Sequence, residues 1–567
     1  MKENIKEINT IFYNNTFSAI PKNIINDFRN NSFFVIFVNP KSGSLEGNII
    51  LKYIKKYKAP SIPNYNIIHF PINKKNWLQS FLKSQNLEEK IKKGGDYPTN
   101  FDPLISFSII IFNIMDLNEF ESGKIFIKNY LKDYPEVELK ILIAGGDGSV
   151  LSIVEDLHKD KIEIGKCIFG AMPLGTGNDL SNSMGFNAKC QIGTIYNFQK
   201  VLYNYFPASV VNIDIWKMQL KVDKNEGKIF DLIPNGEIEI KDESNKNVTY
   251  FKKTFINYMS LGFDAEVGFM FGQRRSGSRL INKMIYGIEA AKIIFKGLFI
   301  KRFGLLSILE NLISFKGENL DSKMLSNDDN YFIDEEFIGS FNNKKIIFDS
   351  VKLDKKNNYN KTILKGNPQV IICQNIHCYM GGTPYIWGKS KQIGKQVCGL
   401  KRSNKKIYEK NIENAFLEQT SNDKKIETLL FDHGMQMGFE KVFRGRAKKL
   451  EQDSGPYLFT FKKKFSNRQE NRLNNVYLNI DGEFYHLNQP KQILLSLNND
   501  ICNGQIKFFK NEIAIWKRKQ ENISQKIFQF IEDNKLILIL VISIVLLLKY
   551  KITALLIFLT YILLLFL

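Results

Sequence analysis

Three glycine-rich segments, each placed directly after an apolar run, limit the possible folds of this chain more than any other feature. They read FVNPKSG (37–43), AGGDGSV (144–150) and PLGTGND (173–179). The runs before them are continuously apolar, as in strands that are buried on both faces of a parallel sheet. Parallel strands end at one edge of a sheet, where ligands bind, so we expect the three turns to converge there.

The spacing of apolar residues around these turns predicts a doubly wound α/β domain. Strands are predicted at 33–38, 106–112, 140–144 and 166–174, and helices at 47–57, 117–131 and 150–157. The domain is assigned to residues 32–200, after an N-terminal extension over 1–31.

The segment AGGDGSV has the chemistry of a phosphate-binding turn. Its glycines let bare N–H groups approach a ligand, and the helix that follows adds positive partial charge. A carboxylate at Asp147 would repel phosphate, which predicts a magnesium ion between them. The alternative is an ordinary strand-to-helix turn in which Asp147 is a cap. Leu151 stands where a dinucleotide fingerprint needs its third glycine, and the chain has no correctly spaced P-loop motif.

The pattern changes after about Ala208, where short alternating strands begin. They predict a mostly antiparallel β domain over 208–510. Polar stretches near 221–250, 315–365 and 401–427 interrupt it and are interpreted as surface insertions or disordered loops.

Charge and cysteine usage narrow the class of protein. The formal net charge is +21, which favours anionic partners such as acidic membrane or phosphorylated ligands. The basic residues are scattered and accompany no recognition motif, so nucleic acid is not expected as a partner. Six dispersed cysteines predict a reducing compartment. The sequence does not specify an oligomeric state.

The last residues, 536–567, form a hydrophobic segment that predicts membrane attachment. Two apolar runs, Leu536–Leu548 and Ile552–Leu567, are interrupted by Lys549-Tyr550-Lys551. A tilted span, a hairpin of two half-spans and interfacial helices all fit, and a buried helix pair is the soluble alternative. The basic stretch Trp516–Lys519 suits an anionic cytoplasmic leaflet, so the folded body is expected to face the cytoplasm.

The order N-P-x-S-G, G-G-D-G-S and P-L-G-T-G-N-D resembles the catalytic domain of diacylglycerol kinases, in a superfamily that includes sphingosine and ceramide kinases. Four later segments resemble the accessory region of the eukaryotic members: SLGFDAEV (260–267), RLINKMIYG (279–287), MGGTPYIWG (380–388) and NIDGEFYHL (479–487). The resemblance implies ATP-dependent phosphorylation of diacylglycerol to phosphatidic acid, with Mg²⁺.

The same resemblance implies roles for individual residues. Those expected to line ATP are Asn39, Lys41, Gly43, Gly145, Gly146, Gly148, Ser149, Gly175, Thr176, Gly177 and Asn178. Catalytic Asp147, with Asp179 and Asp214, matches acidic positions of a magnesium and water network. Glu483 matches the glutamate of a late D-G-E motif and is expected to take the substrate proton. The competing interpretation of Asp481-Gly482-Glu483 is a hairpin turn, because Asp-Gly is a common turn pair.

Three departures and two alternatives accompany the resemblance, and one departure is the insertion near 315–365, which divides the accessory region. Ser149 replaces the commoner threonine, and Phe484-Tyr485 replaces the usual Pro-Trp. The alternative functions are a kinase for ceramide, sphingosine or monoacylglycerol, and a catalytically retired, membrane-anchored nucleotide-binding scaffold. The basic residues Arg274, Arg275, Arg279 and Lys283 are interpreted as neutralising phosphate or anionic lipid, or as a solvated helix face.

Overall fold

A computed structural model describes most of the region between Phe33 and Glu512. The described residues are 33–42, 46–57, 67–71, 106–175, 177–186, 198, 201–202, 204–206, 208–276, 279–299, 304–317, 332–334, 338, 340–341, 344–349, 368–379, 381, 383–392, 416–440, 445–462, 474–512 and 515. The predicted extension over 1–31 and the apolar segment over 536–567 lie outside them. In the described part of the chain, no helix is both long enough and apolar enough to cross a membrane.

The described residues fall into two compact units. The first contains those of Met1–Ile213 and Asp500–Glu512, and the second those of Asp214–Asn499. The residues of Asp500–Glu512, near the end of the described chain, thus belong to the first unit. The sequence pattern did not predict that the chain returns to this unit.

The first unit alternates strands with helices. Its elements are β1 (Phe33–Val38), α1 (Glu46–Tyr57), β2 (Ile67–Pro71), β3 (Ser106–Asn113), α2 (Leu117–Asp133), β4 (Leu139–Gly145), α3 (Asp147–Lys159), β5 (Cys167–Pro173), α4 (Asp179–Ser183), β6 (Ser209–Asp214) and β24 (Gln505–Lys510). The predicted strands and helices are therefore confirmed to within a few residues. Helix α3 begins earlier than predicted because Gly146 is extended, with φ −88° and ψ 176°.

These strands form one seven-stranded sheet in the order β2-β3-β1-β4-β5-β24-β6. Strands β3, β1, β4 and β5 run parallel, with Val38 opposite Ala144 and Gly145 opposite Pro173. All six residues of β1 are buried, as its continuous apolarity predicts. Because β1, β4 and β5 are parallel neighbours, the three glycine-rich turns leave the sheet at the same edge, which confirms the predicted α/β class and the predicted convergence of the turns.

The second unit is built mainly from antiparallel strands, as predicted, but the interpretation of 221–250 as an insertion or loop is wrong, because 228–233 and 236–239 are strands of the larger sheet. Its strands are β7 (Trp216–Val222), β8 (Lys228–Ile233), β9 (Gly236–Glu239), β10 (Tyr250–Phe255), β11 (Tyr258–Gly262), β12 (Leu309–Phe315), β13 (Lys344–Asp349), β14 (Val370–Gln374), β15 (Cys378–Tyr379), β16 (Thr383–Pro384), β17 (Lys391–Gln392), β18 (Ile426–Phe431), β19 (Lys448–Asp453), β20 (Tyr457–Phe461), β21 (Asn475–Ile480), β22 (Glu483–Asn488) and β23 (Pro490–Leu497). Its helices are α5 (Phe263–Gln273), α6 (Arg279–Phe299), α7 (Ile386–Lys389) and α8 (Gly434–Glu440).

Two large sheets of the second unit share one hydrophobic core. Their orders are β10-β7-β23-β20-β12-β13 and β17-β19-β18-β14-β11-β21-β22-β8-β9. The core between them contains Trp216, Leu261 and Phe459, all essentially buried. The opposite face of the nine-stranded sheet packs against helices α5 and α6 through Val267 and Ile293. The apolar faces of both helices and the sheet are thus removed from water, which stabilises the unit.

Candidate functional site

The turn after β1 is tied to the turn after β4. The Asn39 backbone N–H donates to the Ala144 carbonyl at 2.9 Å, and its side-chain Nδ2 donates to Ser149 Oγ at 3.3 Å. The backbone N–H of Lys41 donates to Asn39 Oδ1 at 3.1 Å, while the Lys41 side chain stays exposed. The first and second glycine-rich segments are therefore held together by Asn39.

The turns after β4 and β5 touch backbone to backbone. A Cβ atom on Gly175 would lie 2.6 Å from the Cα atom of Gly146 and 2.8 Å from Asn178 Oδ1. A Cβ atom on Gly145 would lie 2.7 Å from Ser149 Oγ. Real Cβ atoms do not approach this closely, so these two positions need glycine because of crowding.

Asp147 spans the gap between the second and third turns. Its Oδ2 accepts the backbone N–H of Asp179 at 2.8 Å, and its Oδ1 accepts that of Leu180 at 3.3 Å. Asp147 therefore caps the short helix α4 rather than its own helix, so the capping interpretation holds in part. A carboxylate oxygen has room for more than one partner, and the capping contacts leave Asp147 able to meet a cation.

Asp179 lies beside Asp147 and is buried. A Cβ atom on Gly177 would lie 3.9 Å from a carboxylate oxygen of each, and Asp179 is 2% exposed. Asn178 adopts left-handed backbone angles, with φ 55°, and donates from Nδ2 to the Gly175 carbonyl at 2.8 Å. Two carboxylates next to bare glycine backbone fit Mg²⁺, which in phosphate sites binds one or two carboxylates and takes its other ligands from water and phosphate.

Asp214 belongs to the second unit and has a structural set of contacts. It is fully buried, and its Oδ2 accepts the backbone N–H of Lys424 at 2.7 Å. Its carbonyl accepts from Asn375 Nδ2 at 2.9 Å. Within the described ranges, no group of three His, Cys, Asp or Glu side chains is placed to hold a metal ion without further ligands. The magnesium role of Asp214 stays a prediction.

The structure gathers most of the residues that were expected to line ATP. Asn39, Gly145, Gly146, Gly148, Ser149, Gly175, Gly177 and Asn178 all lie at or after the carboxyl ends of β1, β4 and β5. Gly43 and Thr176 lie outside the described residues. Helix α3 begins at Asp147, which turns its N-terminal N–H groups to the same edge.

Glu483 lies directly after a two-residue hairpin turn. Asp481 and Gly482 connect β21 to β22, both with positive φ, 50° and 86°. This is the pairing that a tight hairpin prefers, so the turn interpretation is correct for Asp481-Gly482. It does not compete with a chemical role for Glu483, whose side chain stays 44% exposed.

Two contacts of Glu483 were missed by sequence reasoning. Its Oε2 lies 2.8 Å from the Lys253 ammonium and accepts the Tyr485 hydroxyl at 2.9 Å. Tyr485 could have been found, because residues two apart on a strand share a face. Lys253 lies on a distant strand, and no local pattern relates it to Glu483.

The Asp481 carboxyl organises the turn that precedes β11. It accepts the backbone N–H groups of Ile256, Asn257 and Tyr258 at 2.8, 2.9 and 3.0 Å. These bonds favour the charged form, but partial burial of the carboxyl is the larger effect and raises the pKa of Asp481 to about 7.

A second buried carboxyl, that of Asp264, joins helix α5 to strands β11 and β15. Asp264 Oδ2 accepts the hydroxyls of Ser260 and Tyr379. Burial raises the pKa of Asp264 above its ordinary value, against those hydrogen bonds. The ring of Tyr379 packs edge-on against that of Tyr258, with centroids 4.5 Å apart. Asp264 therefore links helix α5 to the strand that begins beside Asp481.

The fold combines an α/β unit, whose three glycine-rich turns meet at one sheet edge, with a β-rich second unit. Residues 91–202 match the family model of the diacylglycerol kinase catalytic domain, and residues 254–484 match that of the diacylglycerol kinase accessory domain. The chain belongs to the diacylglycerol kinase family. Glu483 falls inside the accessory match, whereas Asn39 and Asp214 fall outside both.

Similar curated proteins carry the same family name. Diacylglycerol kinase 3 of Arabidopsis thaliana is 30% identical over 166 residues, which is 26% of this chain and 34% of that protein. Diacylglycerol kinase iota of Homo sapiens is 32% identical over 204 residues, which is 34% of this chain and 17% of that protein. The similar segment thus spans about a third or less of these relatives.

Proposed function

We propose that this chain transfers the γ-phosphate of ATP to the free hydroxyl of diacylglycerol and forms phosphatidic acid. The observation that supports this most directly is the Asp147 bridge, which joins two glycine-rich turns over backbone that a phosphate can approach. Membership of the diacylglycerol kinase family supplies the substrate class.

In this proposal each turn has a separate task. Backbone N–H groups at the start of α3 and around Gly175 hold the phosphates. Asn39 fixes the position of the first turn relative to the second through its hydrogen bond to Ser149. Asp147 and Asp179 would hold Mg²⁺, which neutralises charge on the transferred phosphoryl group. Most of the rate would come from positioning and charge neutralisation.

Proton removal from the lipid hydroxyl is assigned to Glu483. Its carboxylate is half exposed, and it must exchange its contact with Lys253 for one with the substrate. A positioned base contributes about 10²–10⁴-fold to such a rate. Asp481 is the competing candidate, because its pKa lies near neutrality, yet three backbone N–H groups occupy its oxygens.

The same proposal includes attachment to a membrane with the folded body on the cytoplasmic side. Three features support it: the net charge of +21, the apolar segment over 536–567 and the lipid character of the substrate class. Attachment would keep the site beside a substrate that does not dissolve in water.

The deciding experiment is phosphate transfer from labelled ATP to diacylglycerol, ceramide or sphingosine in mixed micelles with Mg²⁺. Labelled phosphatidic acid from wild type, absent with Asp147→Asn, is the expected result. Product from ceramide or sphingosine alone would replace the proposed substrate. ATP binding without product from any lipid would favour the retired scaffold.

A further inference from the structure

Helix α6 presents apolar side chains on its outer face as well as its inner one. Its inner face holds Asn282, Glu289 and Ile293, which are 4%, 5% and 7% exposed. On the other side, Ile281 is 48% exposed and Ile288 is 37% exposed. Met284 and Ile285 are half-buried between them. These four residues, at the spacing i, i+3, i+4 and i+7, form a line that we call the outer stripe.

The segment around the outer stripe is strongly basic. From Arg274 to Arg302 the sequence has eight basic residues and one acidic residue, Glu289. Glu289 is buried and is engaged by Arg274 and by Lys292, whose ammonium lies 2.9 Å from its Oε1. The Arg274 and Lys292 side chains remain 55% and 52% exposed. Among the described side chains here, Arg274, Arg275 and Lys292 outnumber the one carboxylate, so exposed apolar side chains are combined with excess positive charge.

We propose that the outer stripe of α6 lies in the surface of an anionic membrane, with its isoleucines among the acyl chains and the basic residues at the headgroups. An interfacial helix needs this pairing of an apolar line with Lys and Arg. The inference goes beyond the proposed function, on which it rests for the presence of a lipid substrate, by assigning one surface to the membrane.

The chain contains a matched surface with the opposite charge. Ile233 and Ile238, on β8 and β9, are 38% and 55% exposed. Their neighbours on the same two strands include Asp231, Glu237 and Glu239. The one lysine on these strands, Lys228, is paired with Glu239 at 3.2 Å, so carboxylates outnumber it. Exposed isoleucine in acidic surroundings has no preference for anionic lipid, so Ile238→Asp is the control.

The test is hydrogen–deuterium exchange on the full chain, with vesicles of phosphatidylcholine plus phosphatidylserine and with phosphatidylcholine alone. This readout is local to α6, so membrane attachment through another segment does not mask the result. We expect slower exchange over 281–292 with the anionic vesicles, loss of this effect in Ile281→Asp/Ile288→Asp, and its retention in Ile238→Asp. Equal exchange with and without vesicles overturns the proposal. Slow exchange of α6 that is already present without vesicles and does not change on their addition also overturns the proposal. Another segment or a second copy of the chain would then cover the stripe.

Two further measurements separate this inference from the proposed kinase activity. Asp147→Asn should show the same lipid-dependent protection of α6, since it alters only the phosphate turns. Ile281→Asp/Ile288→Asp should lower transfer to vesicle-borne diacylglycerol by roughly tenfold and leave transfer to a monomeric short-chain diacylglycerol unchanged. Equal loss on both substrates contradicts docking through α6. If lipid protects α6 but the protein phosphorylates no lipid, membrane docking is supported and the proposed kinase activity is rejected.

Discussion

The Asp147 carboxylate accepts the backbone N–H of Asp179 at 2.8 Å, although the two residues belong to different glycine-rich turns. One side chain therefore has two tasks: it caps α4, and it presents charge where Mg²⁺ is proposed. An amide keeps one of the two capping contacts and loses the charge, so substitution separates the two tasks.

Asp147→Asn and Asp147→Ala should both lower phosphate transfer at least about 100-fold, because neither supplies a negative ligand. The asparagine oxygen can accept one of the two N–H groups, so Asp147→Asn should lose less stability than Asp147→Ala, which accepts neither and should lose about 1 kcal/mol. Transfer assays and denaturant titration measure the two effects. Equal stability of both variants would argue against capping, and substantial activity in either would argue against the charge.

Close contact between the second and third turns makes Gly175 sensitive to substitution. Gly175→Ala places a methyl group 2.6 Å from the Gly146 Cα atom, so one turn must move. We expect ATP affinity, measured by calorimetry, to fall by roughly tenfold or more. Gly165→Ala in the same unit is the control, since a Cβ atom there meets nothing within 4 Å. Unchanged affinity in Gly175→Ala would mean that the turns do not hold the phosphates.

Sequence alone predicted the individual strands and helices around the three turns of the first unit. For the second unit it predicted only a mostly antiparallel β fold. Continuous apolarity identified β1 because all its residues are buried, and the convergence of the three turns followed from the rule that parallel strands end at one edge of a sheet. The return of β24 to that sheet depends on pairing between distant segments, for which Gln505–Lys510 has no local signal. The Lys253–Glu483 ion pair was missed because it also joins segments that are distant in sequence. The Tyr485 contact could have been predicted, because residues two apart on a strand share a face.

The ion pair gives a way to test Glu483 as proton acceptor. Glu483→Gln keeps the shape and the contact with Tyr485 but loses basicity, so kcat should fall about 100-fold or more. Lys253→Met breaks the same ion pair and leaves the carboxylate, so its kcat should stay within about threefold of wild type. Similar large losses in both variants would indicate that the pair is structural and that the base lies elsewhere.

Asp481 predicts a distinctive dependence of stability on pH. Its folded pKa is about 7, above the ordinary 3.8, so the folded state binds a proton that the unfolded state has released between these values. Stability from this group is therefore full below about pH 4 and declines as pH rises to about 7, by on the order of 4 kcal/mol in total. The unfolding free energy of wild type minus that of Asp481→Asn should therefore fall as the pH rises over this range. A constant or growing difference would show that the three backbone N–H groups dominate over burial.

Helix α5 and the Glu483 hairpin are in steric contact through one glycine. A Cβ atom on Gly268 would lie 1.9 Å from the Phe484 ring, so that ring fits only because Gly268 has no side chain. Gly268→Ala must displace Phe484, and with it the neighbouring Glu483, so we expect kcat to fall while ATP affinity stays unchanged. Overpacking of this kind costs about 1–3 kcal/mol of stability.

The second substitution Phe484→Leu removes the ring and should restore both kcat and stability when combined with Gly268→Ala. Transfer kinetics and thermal unfolding of the two single variants and the double variant measure this coupling. If the two effects simply add, Phe484 does not transmit the displacement. In that case Phe484-Tyr485, which stands where eukaryotic family members usually have Pro-Trp, would have no effect on the position of Glu483.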